Sequence, residues 1–264
     1  MNLPLNAIPN PDMLASPVVE LRRYTLKPGR RETLIGIFDN HLIEGQETAG
    51  MTIIGQFRDL DRPDMFVWLR GFGGMEARKN ALTAFYDGPV WAAWREGANA
   101  TMIDSDDVLL LKPAWPGAGL DLSGLQRLPQ ADLEKPSASS DLQAIVVIRI
   151  HHLQPGLEAR FANDFQTAAL PVLAAFGASP LAAFVTEHAE NSFPRLPVRA
   201  SENVFISITG FASADAHARR EAALAASPEW QVFEQAAQRD LARPVEVLRL
   251  APTARSLLGQ PTPA

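Results

Sequence analysis

The chain has 264 residues, 47% of them apolar and 20% charged, with a formal net charge of −6 and no cysteine. That length holds one large domain or two small ones, and the missing cysteine excludes disulfides, thiolate nucleophiles and Cys-ligated metals. The acidic balance argues against a nucleic-acid partner, and no apolar run approaches the roughly 20 residues that a membrane-spanning helix needs.

Residues 1–17 (MNLPLNAIPNPDMLASP) have neither the basic start nor the apolar stretch of a signal peptide. They read as a Pro/Asn-rich tail, and a cytoplasmic protein is the expectation. VVELRRYTL alternates and is rich in strand formers, so it predicts a strand that ends at Pro28-Gly29. Leu34, Ile37, Phe38 and Leu42 then recur as the stripe of an amphipathic helix. MTIIGQF and MFVWLRGF read as a strand hairpin through RDLDRPD. A second helix is expected over about 75–99, with Trp91, Trp94 and Ala98 on one core-facing stripe, and DDVLLLK reads as a closing strand. The order β-α-β-β-α-β is the ferredoxin-like plan.

The same order then returns. A shift of 127 residues lays Leu26, Pro28, Gly29, Phe38 and Phe57 on Leu153, Pro155, Gly156, Phe165 and Phe184. A shift of 139 lays Phe66, Gly71, Phe72, Pro89 and Trp91 on Phe205, Gly210, Phe211, Pro228 and Trp230. The second copy therefore carries about twelve extra residues within EHAENSFPRLPVRASEN, the kind of insertion a surface hairpin tolerates. The repeats span 18–114 and 144–253, separated by a linker over 115–143 and followed by a tail over 254–264. GPVWAAW and SPEWQVF are one phrase written once in each repeat.

LRRYTLKPG, GFGGMEARKNAL and GPVWAAW, with ITGFASADAHARREAALAASPEW closer still in the second copy, resemble the NIPSNAP family of the dimeric α/β-barrel superfamily. The resemblance implies an α+β fold in which two ferredoxin-like (βαββαβ) units pair sheet to sheet. With both units in one chain, the barrel forms internally. It implies little about activity, because the wider superfamily includes cofactor-free monooxygenases and haem enzymes.

Strand alternation places Val19 and Leu21 on one face and Glu20, Arg22 and Tyr24 on the other. Trp68, Arg70 and Phe72 share a face in the third strand, as do Arg149 and His151 in the second repeat. The aliphatic faces suit packing against helices, so the mixed faces, with Arg249 at the margin, are expected to look into the barrel. Two readings of that interior stand: a structural polar network, or a pocket for an anionic, partly aromatic ligand. On the second reading Arg22, Tyr24, His41, Trp68, Arg70, Arg149 and His151 are the ligand-binding residues.

His41 falls on the stripe of the first helix and is the first candidate for a catalytic base, or for an axial ligand if haem is bound; no other cofactor is expected. His151 and His152 point to opposite faces of a strand, His188 falls in the insertion, and His217 reads as a surface residue near a helix start. No histidine or carboxylate spacing of metal-site type appears, so no metal is expected; Asp104, Asp106 and Asp107 read as solvated charge. Trp68, Arg70, His41 and Glu20 become Ser207, Thr209, Ala168 and Val147 in the second copy. Any ligand is therefore expected mainly in the first copy, with the second as a lid. Two function classes remain: a small-molecule binder or cofactor-independent enzyme, and an interaction scaffold without chemistry. A homo-oligomer is compatible with both.

Overall fold

The computed structural model describes residues 16–133, 144–178 and 180–259. The expected N-terminal tail falls almost wholly outside these residues, but 115–133 of the expected linker and 254–259 of the expected C-terminal tail are described, and both pack against the core through Leu120 and Leu258. Four strands, β1 (Val18–Leu26), β2 (Thr52–Asp59), β3 (Met65–Phe72) and β4 (Met102–Pro113), come from the first repeat. Four more, β5 (Ile145–His152), β6 (Ala182–Thr186), β7 (Val204–Phe211) and β8 (Glu246–Pro252), come from the second. All neighbours are antiparallel, and the order β1-β3-β2-β8-β5-β7-β6-β4 closes into a barrel. Each repeat contributes its strands in the same 4-1-3-2 order. The repeats meet at two short seams, where Phe57–Asp59 pairs with Leu250–Pro252 and Leu111–Pro113 pairs with Phe184–Thr186.

Each repeat carries four α-helices outside the barrel. In the first repeat, α1 (Arg31–Ile37) and α2 (Ile43–Thr48) are joined by a π turn at Phe38–Leu42, followed later by α3 (Met75–Tyr86) and α4 (Pro89–Asn99). The second has α5 (Glu158–Asp164) and α6 (Leu170–Ala175) around a π turn at Phe165–Ala169, then α7 (Ala214–Ala225) and α8 (Pro228–Gln238). The single helix expected over 75–99 is thus two, and the repeated phrase marks where the second begins. Proline occupies the first turn, where its missing N–H costs nothing. Before it, Ser227 caps α8 by accepting from the Trp230 N–H at 3.3 Å. Gly88 takes that position in the first repeat because a Cβ there would lie 2.7 Å from the Ala84 carbonyl oxygen.

The faces are the reverse of those expected. Val19, Leu21, Val67, Leu69, Val146, Ile148, Ile206 and Leu248 pack together inside the barrel, and Leu120 and Leu258 join the same cluster. Such interiors take close-fitting aliphatic side chains. The mixed faces instead lie under the helices, in two separate layers, one per repeat. Arg249 lies outside, paired with Asp61. Arg23 is buried where the repeats meet and pairs with Asp107 at 2.8 Å and with Glu246 of β8 at 2.6 Å.

The insertion is not a free surface hairpin. Asn191 Oδ1 and Ser192 Oγ accept from Arg78 of α3 at 2.9 and 3.2 Å, and Phe193 is buried against Tyr86. Residues of the second repeat thereby roof the helix layer of the first. Trp115 and Ala118, just past the first repeat, pack into the layer of the second.

A candidate ligand cavity in the second repeat

Strand register builds the two layers from equivalent positions. Glu20 lies opposite Arg70 and Arg22 opposite Trp68; Val147 lies opposite Thr209 and Arg149 opposite Ser207. The π turns aim Phe38 at Trp68 (ring centroids 4.9 Å apart) and Phe165 at Phe205 (4.7 Å).

The first layer is full. Glu20 accepts from Arg22 at 2.8 Å, Arg70 at 2.8 Å and Arg78 at 2.6 Å, and none of the four side chains is more than 1% exposed. Burial alone would raise the Glu20 carboxyl, but Arg70, Arg22 and Arg78 together outweigh it and hold it well below the usual carboxylate range. The Arg22 Nε donates to the Tyr24 hydroxyl at 2.9 Å. Trp68 sits between the Arg22 and Arg70 guanidiniums, whose central carbons lie 5.6 and 5.0 Å from its ring. Only about 30 Å³ stays empty beneath these helices. Arg22, Tyr24, Trp68 and Arg70 are therefore together, as expected, but as a closed network.

His41 stands apart from them. Its ring stacks on Trp94 with centroids 3.5 Å apart and planes 6° from parallel, on the outer side of the helices. Trp94 is 36% exposed and is not a core residue. Arg149 and His151 belong to the other layer, across the barrel, and do not reach the first.

In the second layer the large side chains are missing, and a cavity of about 210 Å³ opens. Ser207 stands where Trp68 does, Thr209 where Arg70 does, His151 where Tyr24 does and His217 where Arg78 does. Phe165, Phe211, Leu224, Trp230 and Phe233 supply aromatic and aliphatic walls. The larger void thus lies in the second copy, the reverse of the expected asymmetry. His217 is buried rather than on the surface, and its Nε2 has no hydrogen-bond partner. Glu221 takes an ion pair from Arg149 and lies 3.7 Å from that same His217 nitrogen, so the cationic charge of Arg149 is already matched. Burial, with Arg149 nearby, pushes His151 down to about 3; the ring is neutral near pH 7, and its Nδ1 is buried without a partner.

A cleft of about 700 Å³ adjoins this cavity and shares Phe233 and Ala237 with it. It separates α5 from α8. In the first repeat the equivalent helices close up. A Cβ on Gly45 would lie 2.9 Å from Val90 Cγ1, one on Gly97 would lie 3.3 Å from Ile37 Cδ1, and His41 stacks on Trp94. Val172, Ala236 and Ala168 occupy those three places in the second repeat, which adds bulk between the helices and removes the stack. The signal for Ser207, Thr209 and His217 was present in the repeat alignment. A small residue opposite a large one marks a hole as readily as a lost site.

Residues 19–115 match the family model named NIPSNAP. The first repeat is thus similar to a NIPSNAP domain along nearly its whole length. The match ends before the second repeat, although ITGFASADAHARREAALAASPEW looked the closer stretch. Two solved structures share the fold over nearly the whole chain, and both proteins are provisionally called monooxygenases. One, from Lactobacillus acidophilus NCFM, is 12% identical and aligns over 90% of this chain and 94% of its own, with a TM-score of 0.52. The other, from Fusobacterium nucleatum, is 7% identical over 91% and 94%, with a TM-score of 0.57. A NIPSNAP-like domain protein from Burkholderia xenovorans is 24% identical, covering 46% of this chain and 92% of its own, with a TM-score of 0.37. No curated protein matches the chain. Among the described residues, no helix is long and apolar enough to cross a membrane.

Proposed function

We propose that the second repeat binds a small aromatic molecule with hydrogen-bonding substituents in the cavity beneath α7 and α8. One observation carries this reading: a void of about 210 Å³, walled by Phe165, Phe211, Trp230 and Phe233, into which unpartnered histidine nitrogens are buried. An apolar cavity of roughly 150 Å³ accommodates benzene, so this one takes a substituted ring. His151, kept neutral, accepts a hydrogen bond from a ligand hydroxyl; Ser207 and Thr209 donate or accept as the substituents require. Glu221 already matches Arg149, which favours a neutral ligand or a singly charged anion over a more highly charged one. The scaffold reading fits the first repeat, where the polar groups bond to one another.

The test is titration of a panel of substituted phenols and aromatic carboxylates against the summed tryptophan fluorescence, in the wild type and in Ser207→Trp. The substitution restores the side chain that fills the first layer. The expected result is saturable quenching in the wild type and a loss of about 100-fold in affinity, roughly 3 kcal/mol, in the variant. Equal affinity in both proteins would place the ligand elsewhere. Oxygen uptake with each bound compound separates a binder from a cofactor-independent monooxygenase, the activity provisionally given to the two whole-chain structural relatives.

A further inference from the structure

The closed layer of the first repeat has a charge imbalance that its own residues leave unmatched. Arg22, Arg70 and Arg78 are all buried there, and among the described residues Glu20 is the one carboxylate paired with them. Three guanidiniums against one carboxylate leave two positive charges in excess, out of reach of water. A buried ionisable group in this position usually sheds its charge or acquires a counter-charge. Arginine does not lose its proton in proteins, so the first route is closed. Nor does Tyr24 supply the missing charge as a phenolate: burial raises its hydroxyl, and that outweighs the pull of Arg22 and Arg70.

A remaining space of about 30 Å³ lies beside these groups, with no guanidinium in its lining. Tyr24, Gln46 and Trp68 line it, and each touches a guanidinium. Tyr24 Oη accepts from Arg22 Nε at 2.9 Å, which leaves its own proton to donate. Gln46 Oε1 accepts from Arg70 Nη1 at 3.3 Å. Trp68 lies between Arg22 and Arg70, and its Nε1–H is buried without an acceptor. Leu34, Phe38 and Phe85 complete an apolar wall. The volume is enough for one or two particles of about the size of a water molecule. Water would leave the charge as it is, whereas a monatomic anion fits the space and offsets the charge.

We propose that this cavity is a halide site, holding one chloride ion with the Trp68 indole N–H and the Tyr24 hydroxyl as donors in the field of Arg22 and Arg70. The second repeat is its internal control. Val147, Ser207 and Thr209 replace Glu20, Trp68 and Arg70, so that layer has neither the cluster of three guanidiniums nor an indole at the position of Trp68.

The experiment pairs crystallography with thermal unfolding. Crystals grown in sodium bromide are expected to show an anomalous peak between Trp68 Nε1 and Tyr24 Oη. Chloride or bromide at ten times the dissociation constant is expected to raise the Tm by about 4 °C over gluconate at equal ionic strength. Trp68→Phe keeps the ring and removes the donor, and is expected to lose that increment; Tyr24→Phe is the second variant should the first not fold. A cavity without bromide overturns the proposal. So does an equal Tm in halide and gluconate, or an increment that survives loss of the donor in a variant that folds.

Discussion

Beneath the helices of the first repeat, Trp68, Arg70 and Arg78 fill the layer; beneath those of the second, Ser207, Thr209 and His217 leave it open. The backbone order, the π turns and the helix starts are shared, so the difference in filling originates in side chains. A duplicated layer can become either a polar core or a cavity, depending on a handful of positions. The first option makes every charged group depend on the others. The second leaves imidazole nitrogens without partners and space beside them.

The sharpest way to break this comparison is Glu20→Gln. It leaves three buried guanidiniums without their shared carboxylate and should cost about 4 kcal/mol of stability in urea unfolding. Val147→Ala at the equivalent position deletes two methyl groups and should cost less. Equal losses would show that the first layer does not rest on its charges.

Asp39 tests the contrast through pH. Burial pushes its carboxyl up to about 6, against about 3.9 in an unfolded chain, although Thr253 and Arg255 partly oppose the shift. Between those values the folded state binds more protons, so stability falls as pH rises through the window, and the loss is complete above about 6. The second repeat has neutral Gln166 at this position. Asp39→Asn should therefore gain about 3 kcal/mol at pH 8 and nothing below pH 4, read from urea midpoints across the range. A gain that does not vary with pH would mean that the carboxylate is not the cause.

Gly45→Val imports the residue found at Val172. The new side chain meets Val90, and overpacking of this kind costs about 2 kcal/mol. It should also move α4 away from the helix pair α1–α2, exposing Trp94 to acrylamide quenching. Unchanged quenching would show that glycine does not set the helix spacing.

The smallest effect at pH 7 belongs to His151. Its folded form resists protonation down to about 3, whereas the unfolded chain takes up a proton near 6.5. Stability contributed by the neutral ring is thus complete above about 6.5 and is lost as pH falls towards 3. His151→Gln should flatten the acid limb of the stability profile in that window; an unaltered slope would show that the imidazole is not excluded from charge.

The repeat, its two offsets, the strand order and the residue sets on each face were legible in the sequence. Which set faces the helices was not. Alternation says that Glu20, Arg22 and Tyr24 travel together, but an aliphatic set such as Val19 and Leu21 suits a barrel interior as well as a helix. What decides is the supply of partners. Only the helix side brings Arg78 of α3, with Asn191 and Ser192 beyond it, within reach of Glu20 and its arginines. These contacts cross 58 and 113 residues of chain, and no local pattern announces them. Pro89 and Pro228 carry a local signal for helix starts, because a proline there acts through its own backbone, but the expected helix over 75–99 ran through Pro89.

The roof that Asn191, Ser192 and Phe193 place over α3 has a consequence for synthesis. A ribosome that has finished β4 still has about 80 residues to translate before Phe193 emerges, roughly 4–16 s at ordinary elongation rates. Through that interval the first repeat holds a complete set of its own strands, yet β2 and β4 lack the partners that close the barrel, and the Tyr86 surface is uncovered. Unpaired strand edges of this kind invite pairing with other nascent chains. The protein's most exposed moment therefore comes when half of its sequence looks like a finished domain.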